Sequence, residues 1–222
     1  MARPRSDIRV RLLDSARRRF LKEGVDGASL RAIASDAKTN IGMVYYYFPT
    51  KDDLFFAVVE EVYARILSDM TRALEPDVSV KDRVARLYER LGALDDIEIM
   101  TVQLIVREVL VSSERLERLV GRYRRGHIPL VLATLAEGVA DGSIDERIPP
   151  PVVLLCTIGV GAFPQAGRRI VEKNLGLGSL PAGAAYARQL VDVLWNGIGR
   201  KTEGEGSKQP ASRTMAGRAP RS

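Results

Sequence analysis

Apolar residues recur along this chain with the spacing of α-helices almost throughout, and alternating strand patterns are nearly absent. Leu12, Leu13, Ala16 and Phe20 fall on one face of a first helix over about 7–23, and Gly24 is a suitable stop. Ser29 then caps a short helix whose Leu30, Ile33, Ala34 and Ala37 point inward. After Lys38 and Thr39, Asn40 caps a third short helix, which must end near Phe48 because Pro49 disfavours helical geometry before it. Thr50, with Asp53 three residues on, has the form of a capping box for a longer helix carrying Leu54, Phe55, Val58, Val62 and Ile66. The remainder predicts five more helices over roughly 79–93, 95–111, 114–139, 151–172 and 182–198. The Asp141-Gly142-Ser143 turn, Pro149-Pro150-Pro151 and the glycines of 175–181 mark breaks.

The pattern of two short helices across a three-residue turn, over 29–48, has a direct physical use. The first helix braces across a DNA backbone. The second fits the major groove of double-stranded DNA, where its first residues meet base edges. Those residues are Asn40, Ile41, Gly42 and Met43, with Ser29 at the start of the brace. Tyr45, Tyr46, Thr50 and Lys51 are placed for phosphates through hydroxyls, an ammonium and a free helix start. Four consecutive rings cannot point one way on a helix, so Tyr45 and Tyr46 are read as phosphate contacts and Tyr47 and Phe48 as core. Arg17, Arg18 and Arg19 read as the solvated face of the first helix. Arg3, Arg5, Arg9 and Arg11 are candidates for reaching a groove or phosphates.

Composition adds bounds to this picture. The 222 residues are 45% apolar and 28% charged, as in an ordinary globular protein of one large or two modest domains. The net charge of +6 implies a nucleic-acid partner only weakly. The stretch from Arg200 carries six basic residues against two acidic ones; residues 1–60 carry eleven against eight. From about Thr202 the chain has almost nothing apolar to bury and is expected to be disordered. Cys156 alone cannot form an internal disulfide, which fits a reducing cytoplasm. No apolar run approaches the ~20 residues of a membrane helix, so no membrane association is expected. His127 stands without a Cys/His cluster, so no metal or other cofactor is expected. No triad of catalytic residues or phosphate-cradling glycine loop emerges, which disfavours an enzyme. A helical enzyme and a structural protein without DNA remain as rival readings.

The run SLRAIASDAKTNIGMVYYYFPTKDDL, within Leu12 to Leu54, resembles the amino-terminal domain of the TetR family of transcriptional regulators. The family pattern is an Ala-Gly-Val-Ser turn, then Gly-Thr-Leu-Tyr-His-Tyr-Phe, then a Pro-Ser-Lys-Glu junction. Ala37, Gly42, Tyr45, Tyr47, Phe48, Pro49, Lys51 and Leu54 match it, with Phe20 and Gly24 correctly spaced upstream. Lys38 departs from it, standing where glycine is usual; a left-handed backbone there costs ~1–2 kcal/mol, so this turn is either strained or differently shaped. Ile41 and Met43 make the base-facing edge apolar.

The resemblance implies an all-α chain with three parts: a three-helix helix-turn-helix DNA-binding domain over 1–50, a larger helical ligand-binding and dimerisation domain over 51–200, and a basic tail over 201–222. It further implies a homodimer, joined through about 151–172 and 182–198 as a four-helix bundle, that represses from a palindromic operator. Val152, Val153, Leu155 and Ile158, with Ala185, Leu190, Val193, Leu194 and Trp195, supply apolar surface beyond the needs of one subunit. A small apolar or amphipathic effector is expected among Phe55, Val59, Tyr63, Tyr88, Leu91, Met100, Gln103, Leu104, Arg107, Tyr123 and Phe163, positions chosen by their place on helices. Arg107 and Glu108 read either as ligand contacts or as an intramolecular pair.

Overall fold

The computed structural model describes residues 5–174, 178–181 and 183–199. The expected tail over 201–222 lies outside them, as does Arg3. Among the described residues there are ten helices: α1 (Arg5–Glu23), α2 (Leu30–Asp36), α3 (Ile41–Tyr47), α4 (Lys51–Ala73), α5 (Val80–Gly92), α6 (Asp96–Val111), α7 (Ser113–Arg124), α8 (His127–Ala140), α9 (Pro150–Asn174) and α10 (Gly183–Ile198). The fold is all-α; the extended pairing among the described residues is one isolated bridge between Ile144 and Gly199.

The caps explain where the early helices begin. Ser29 accepts from the Ala32 N–H, Asn40 from the Met43 N–H, and Thr50 with Asp53 forms a complete capping box. Each satisfies backbone donors that lack an intrahelical partner, typically stabilising by about 1 kcal/mol. The expected single helix over 114–139 is two helices, α7 and α8, meeting at Gly126. Two local features break it. Pro129 falls in the first turn of α8, where it is tolerated; in one continuous helix its ring would press on the Arg125 carbonyl. A side chain at Gly126 would also collide with the Tyr63 hydroxyl.

Among the described residues, two buried clusters form the core. The first joins Leu12, Phe20, Ile33 and Val44 of α1–α3 to Leu54, Phe55 and Val58 of α4, and reaches Leu104 on α6 and Leu119 on α7. Phe20 and Phe55 meet edge to face with centroids 6.4 Å apart, a pairing of about 1 kcal/mol beyond area burial. The second gathers Val84, Leu87 and Tyr88 of α5 with Leu135, Val153, Val191 and Leu194 of α8–α10. The α1–α3 head thus shares its core with the first half of α4 and with α6 and α7. The core changes partner midway along α4 rather than at its start.

A candidate nucleic-acid interface and its connection to the body

Helices α2 and α3 pack through Ile33, Ala34, Ala37 and Val44, all buried. The turn between them closes with the Thr39 N–H donating to the Ala34 carbonyl at 3.0 Å and the Lys38 N–H to the Ser35 carbonyl at 3.0 Å. Such a closure needs a left-handed residue after the cap, and Lys38 supplies it at φ 53°. Of the two readings of this turn, the strained left-handed one is therefore the one found.

Asn40, Gly42, Tyr45 and Tyr46 are exposed and Met43 is half-buried, on the outer side of α3. Asn40 is partly committed, since its Oδ1 accepts from the Met43 N–H at 3.0 Å. A Cβ at position 42 would lie 3.1 Å from that same oxygen, so glycine leaves the cap undisturbed. Ile41 packs partly against the head's core, whereas Met43, also half-buried, is not among the side chains packed on it. Tyr45 and Tyr46 are 54% and 66% exposed whereas Phe48 is buried, so the four successive rings divide between solvent and core.

Ser29 and Thr50 are exposed, and Lys51 is half-buried. The helix start at Thr50 is not free as expected. Asp53 accepts from the Thr50 N–H at 3.1 Å, and Asp52 sits in the same turn, so carboxylates already meet the helix dipole there. The Lys51 ammonium donates to the Asp26 carbonyl at 2.7 Å, which ties it to the turn after α1.

The arginine run of α1 departs from its expected solvated role. Arg17 is 2% exposed and pairs with Asp14 at 2.9 Å and Glu61 at 2.7 Å. It therefore fastens α1 to α4. Arg19 bridges to Asp36 on α2 and to Glu23, and Arg18 is exposed. Arg11 pairs with Asp7, while Arg9 is exposed with its guanidinium 5.8 Å from the Phe48 ring centre.

Four carboxylate and guanidinium groups join this head to the body. Arg115 on α7 donates to Glu108 of α6 at 2.8 Å, to Asp52 of α4 at 3.0 Å and to Asp26 in the α1–α2 turn. Glu108 also accepts from the Val25 N–H at 3.3 Å. The hydrogen bond from Arg115, with its charge nearby, holds the Asp26 carboxyl below the usual range, and its partners hold the guanidinium more firmly protonated. Arg107 and Glu108 do not pair with each other: Arg107 donates to the Leu21 carbonyl at 2.8 Å. Sequence reading missed this cluster because its members are distant in the chain and each is an ordinary surface residue type.

The positions expected to hold an effector do not converge on one cavity. Phe55, Val59, Tyr63 and Leu104 are part of the first buried cluster, with Tyr123 on its edge. Tyr88 belongs to the second, where its hydroxyl donates to the Thr157 carbonyl at 2.6 Å, and Leu91 packs at its edge. Met100 is half-buried, Gln103 and Arg107 are exposed, and Phe163 is 80% exposed on α9. Helical position alone placed these residues, and neighbouring turns of one helix face different partners. Tyr63, Tyr123 and His127 do meet, with ring centres 4.9–5.8 Å apart and the Tyr63 hydroxyl 2.9 Å from His127 Nδ1. Burial lowers the His127 pKa and raises those of both tyrosines. Cys156 is half-buried beside the second core. Among the described residues no group of His, Cys, Asp and Glu could hold a metal, and no helix is long and apolar enough to cross a membrane.

An all-helical chain whose capped third helix stands outward beside the start of a long fourth helix defines a helix-turn-helix protein with a helical body. Residues 12–58 match the family model for bacterial regulatory proteins of the tetR family. Over this stretch the chain is similar to the amino-terminal domain of the TetR family. It is similar to the HTH-type nicotine-responsive transcriptional repressor HdnoR of Paenarthrobacter nicotinovorans, 32% identical over 42% of this chain and 50% of that protein. It is likewise similar to the HTH-type transcriptional repressor NicS of Pseudomonas putida, 32% identical over 36% of this chain and 40% of NicS. The matched stretch therefore spans half or less of these two curated relatives. The fold is that of the transcriptional regulator FadR from Bacillus subtilis in complex with stearoyl-CoA, with a TM-score of 0.67 at 18% identity, covering 85% of this chain and 98% of FadR.

Proposed function

We propose that this protein is a one-component transcriptional repressor that binds a palindromic operator as a homodimer and is released by a small apolar or amphipathic ligand. In this reading residues 1–50 read DNA and 51–200 bind ligand and partner. The observation that carries it is the outward face of α3, where Gly42, Met43, Tyr45 and Tyr46 stand clear of the core on a helix capped by Asn40. Such a helix fits a major groove. The curated relatives are named as repressors, and one of them as nicotine-responsive, which supports both halves of the reading.

Helices α9 and α10 support the dimer. Val153 and Leu194 turn into the subunit's own core, but Leu155, Phe163 and Val193 are 69%, 80% and 64% exposed, and Val152 and Ile158 are exposed beside them. Large apolar side chains grouped on adjacent helices are a usual interface. Release follows from linkage: a ligand that favours a head spacing unsuited to DNA weakens DNA binding by its own difference in affinity for the two states. Helix α4 joins head and body and is the lever. A mobility-shift and footprinting experiment on the DNA upstream of the gene tests the proposal. Two protected half-sites about one turn apart, ~34–36 Å, or a multiple of it, are expected. A single asymmetric half-site bound by a monomer would overturn it.

A further inference from the structure

Helix α8 begins without a cap of its own. Gly126 at its N-cap has no side chain to offer, and Pro129 in its first turn has no N–H. The leading N–H belongs to His127, and a different helix supplies its partner: the Tyr63 hydroxyl of α4 accepts from it at 3.2 Å. Glycine makes this approach possible, since a Cβ at position 126 would collide with that hydroxyl.

The same hydroxyl lies 2.9 Å from Nδ1 of the His127 ring. It accepts from the backbone N–H, so its own proton can go to Nδ1, and the ring is then neutral with its proton on Nε2. A protonated Nδ1 would instead be a second donor. The hydroxyl would accept twice and its proton would point into packed surroundings, because Tyr63 is 6% exposed and its hydroxyl has no third hydrogen-bond partner among the described residues.

The charges around the ring also oppose its protonation. From α7, the Arg122 guanidinium stands 4.5 Å from the centre of the Tyr63 ring, and the Tyr123 ring centre lies 4.9 Å from that of His127. Arg124 and Arg125 are exposed at the end of the same helix. From α4 come Tyr63 and Glu60, whose carboxylate is already held by Arg122 at 2.8 and 2.9 Å. Helix α5 meets α8 through Arg83 and Glu137, near the far end of α8, and residues 150–164 of α9 include no Asp, Glu, Lys or Arg. The positive end of the α8 dipole lies at His127 itself. Burial, with the Arg122 charge, holds the His127 pKa below its ordinary 6.5.

We infer that Tyr63 and His127 form a latch joining α4 to the first turn of α8, closed while the imidazole is neutral and opened when Nδ1 is protonated. Opening removes the cap of α8 and frees its first turn from α4 at the joint between α7 and α8. Because α4 begins beside the head, opening would also act on DNA binding. That consequence rests on the proposed repressor function; the latch itself does not.

His127 is the single histidine of the chain, so ring-nitrogen NMR of the untagged, histidine-labelled protein between pH 8 and 5 reads it alone. The neutral ring should carry its proton on Nε2 and titrate below 6.5. In Tyr63→Phe the tautomer preference should fade and the titration should move up toward 6.5. Hydrogen exchange, corrected for its intrinsic pH dependence, reads the latch without any variant. Amides of 127–132 should lose about ten-fold in protection as His127 titrates, while those of 191–194 in the core of α10 keep theirs. His127→Asn, whose side-chain oxygen can still accept from Tyr63, should keep its protection over the whole range. A neutral ring protonated on Nδ1, a titration unmoved in Tyr63→Phe, or exchange that does not follow the His127 titration overturns the inference. Equal loss of protection in α10 would mean general acid unfolding and would overturn it too. Local opening with unchanged DNA affinity would sustain the latch and defeat only its effect on the head.

Discussion

Arg115 and Asp26 lie 89 residues apart in sequence and form a two-pronged ion pair, with guanidinium nitrogens 2.5 and 3.2 Å from the two carboxylate oxygens. The pair locks α7 of the body to the turn after α1 in the head. Inward of it, Arg115 meets Glu108, and the two side chains are only 8% and 3% exposed. Removing one member of so buried a pair leaves the other charged and poorly solvated.

Arg115→Met should therefore lower unfolding free energy by about 3 kcal/mol in urea titrations. Combining it with Glu108→Gln should lose less than the single change, because the glutamine stays neutral and still accepts from the Val25 N–H. Asp26→Asn, at a side chain 74% exposed, should cost under about 1 kcal/mol. A double variant less stable than Arg115→Met alone would exclude a buried unpaired charge as the cause.

Lys38 holds φ 53° in the turn between α2 and α3, where glycine carries no Cβ penalty. Lys38→Gly should raise stability by about 1 kcal/mol, read as a higher Tm. An unchanged or lowered Tm would mean that the exposed lysine makes a compensating interaction.

Two neighbours on α3 should respond differently to DNA. Tyr46→Phe removes a hydroxyl from a ring 66% exposed and should weaken all sites alike, by about five-fold, if that hydroxyl meets phosphate. Met43→Ala should instead change the ranking of sites, through lost contact with base edges. A binding selection in which Tyr46→Phe altered preference and Met43→Ala did not would reverse the two roles.

Dimerisation can be tested on the outer face of α9. Leu155 is 69% exposed, so Leu155→Glu should leave the subunit folded while shifting sedimentation toward the monomer. Unaltered sedimentation at micromolar concentration would move the interface elsewhere.

His127 provides a pH test. Burial lowers its pKa below the ordinary 6.5, so the unfolded chain takes up the proton more readily than the native one. The stability that the neutral ring contributes is complete above 6.5 and is lost as pH falls through the lower native value. His127→Gln should flatten this part of the stability profile between about pH 7 and 5. An identical slope in the variant would place the titrating group elsewhere.

Local patterns were enough to set the helix content and the helix starts of the α1–α3 head. Ser29, Asn40 and the Thr50–Asp53 box each act within three residues, so their caps are written in the sequence and recur in the structure. The split of the four-ring run between solvent and core was legible as well: Tyr45 and Tyr46 are exposed, Tyr47 is half-buried and Phe48 is buried, because successive positions on a helix diverge. Position along a helix was a poorer guide to which residues of the body come together. Phe55, Tyr88 and Phe163 share chemistry, yet one enters each buried cluster and the third stands in solvent. The same limit hid Arg17, whose burial depends on Glu61 of another helix, and the Arg115 cluster, whose partners come from α4, α6 and the α1–α2 turn. A charge's cost or benefit is set by what surrounds it in space, through desolvation and the distance to a counter-charge, and only tertiary packing fixes either.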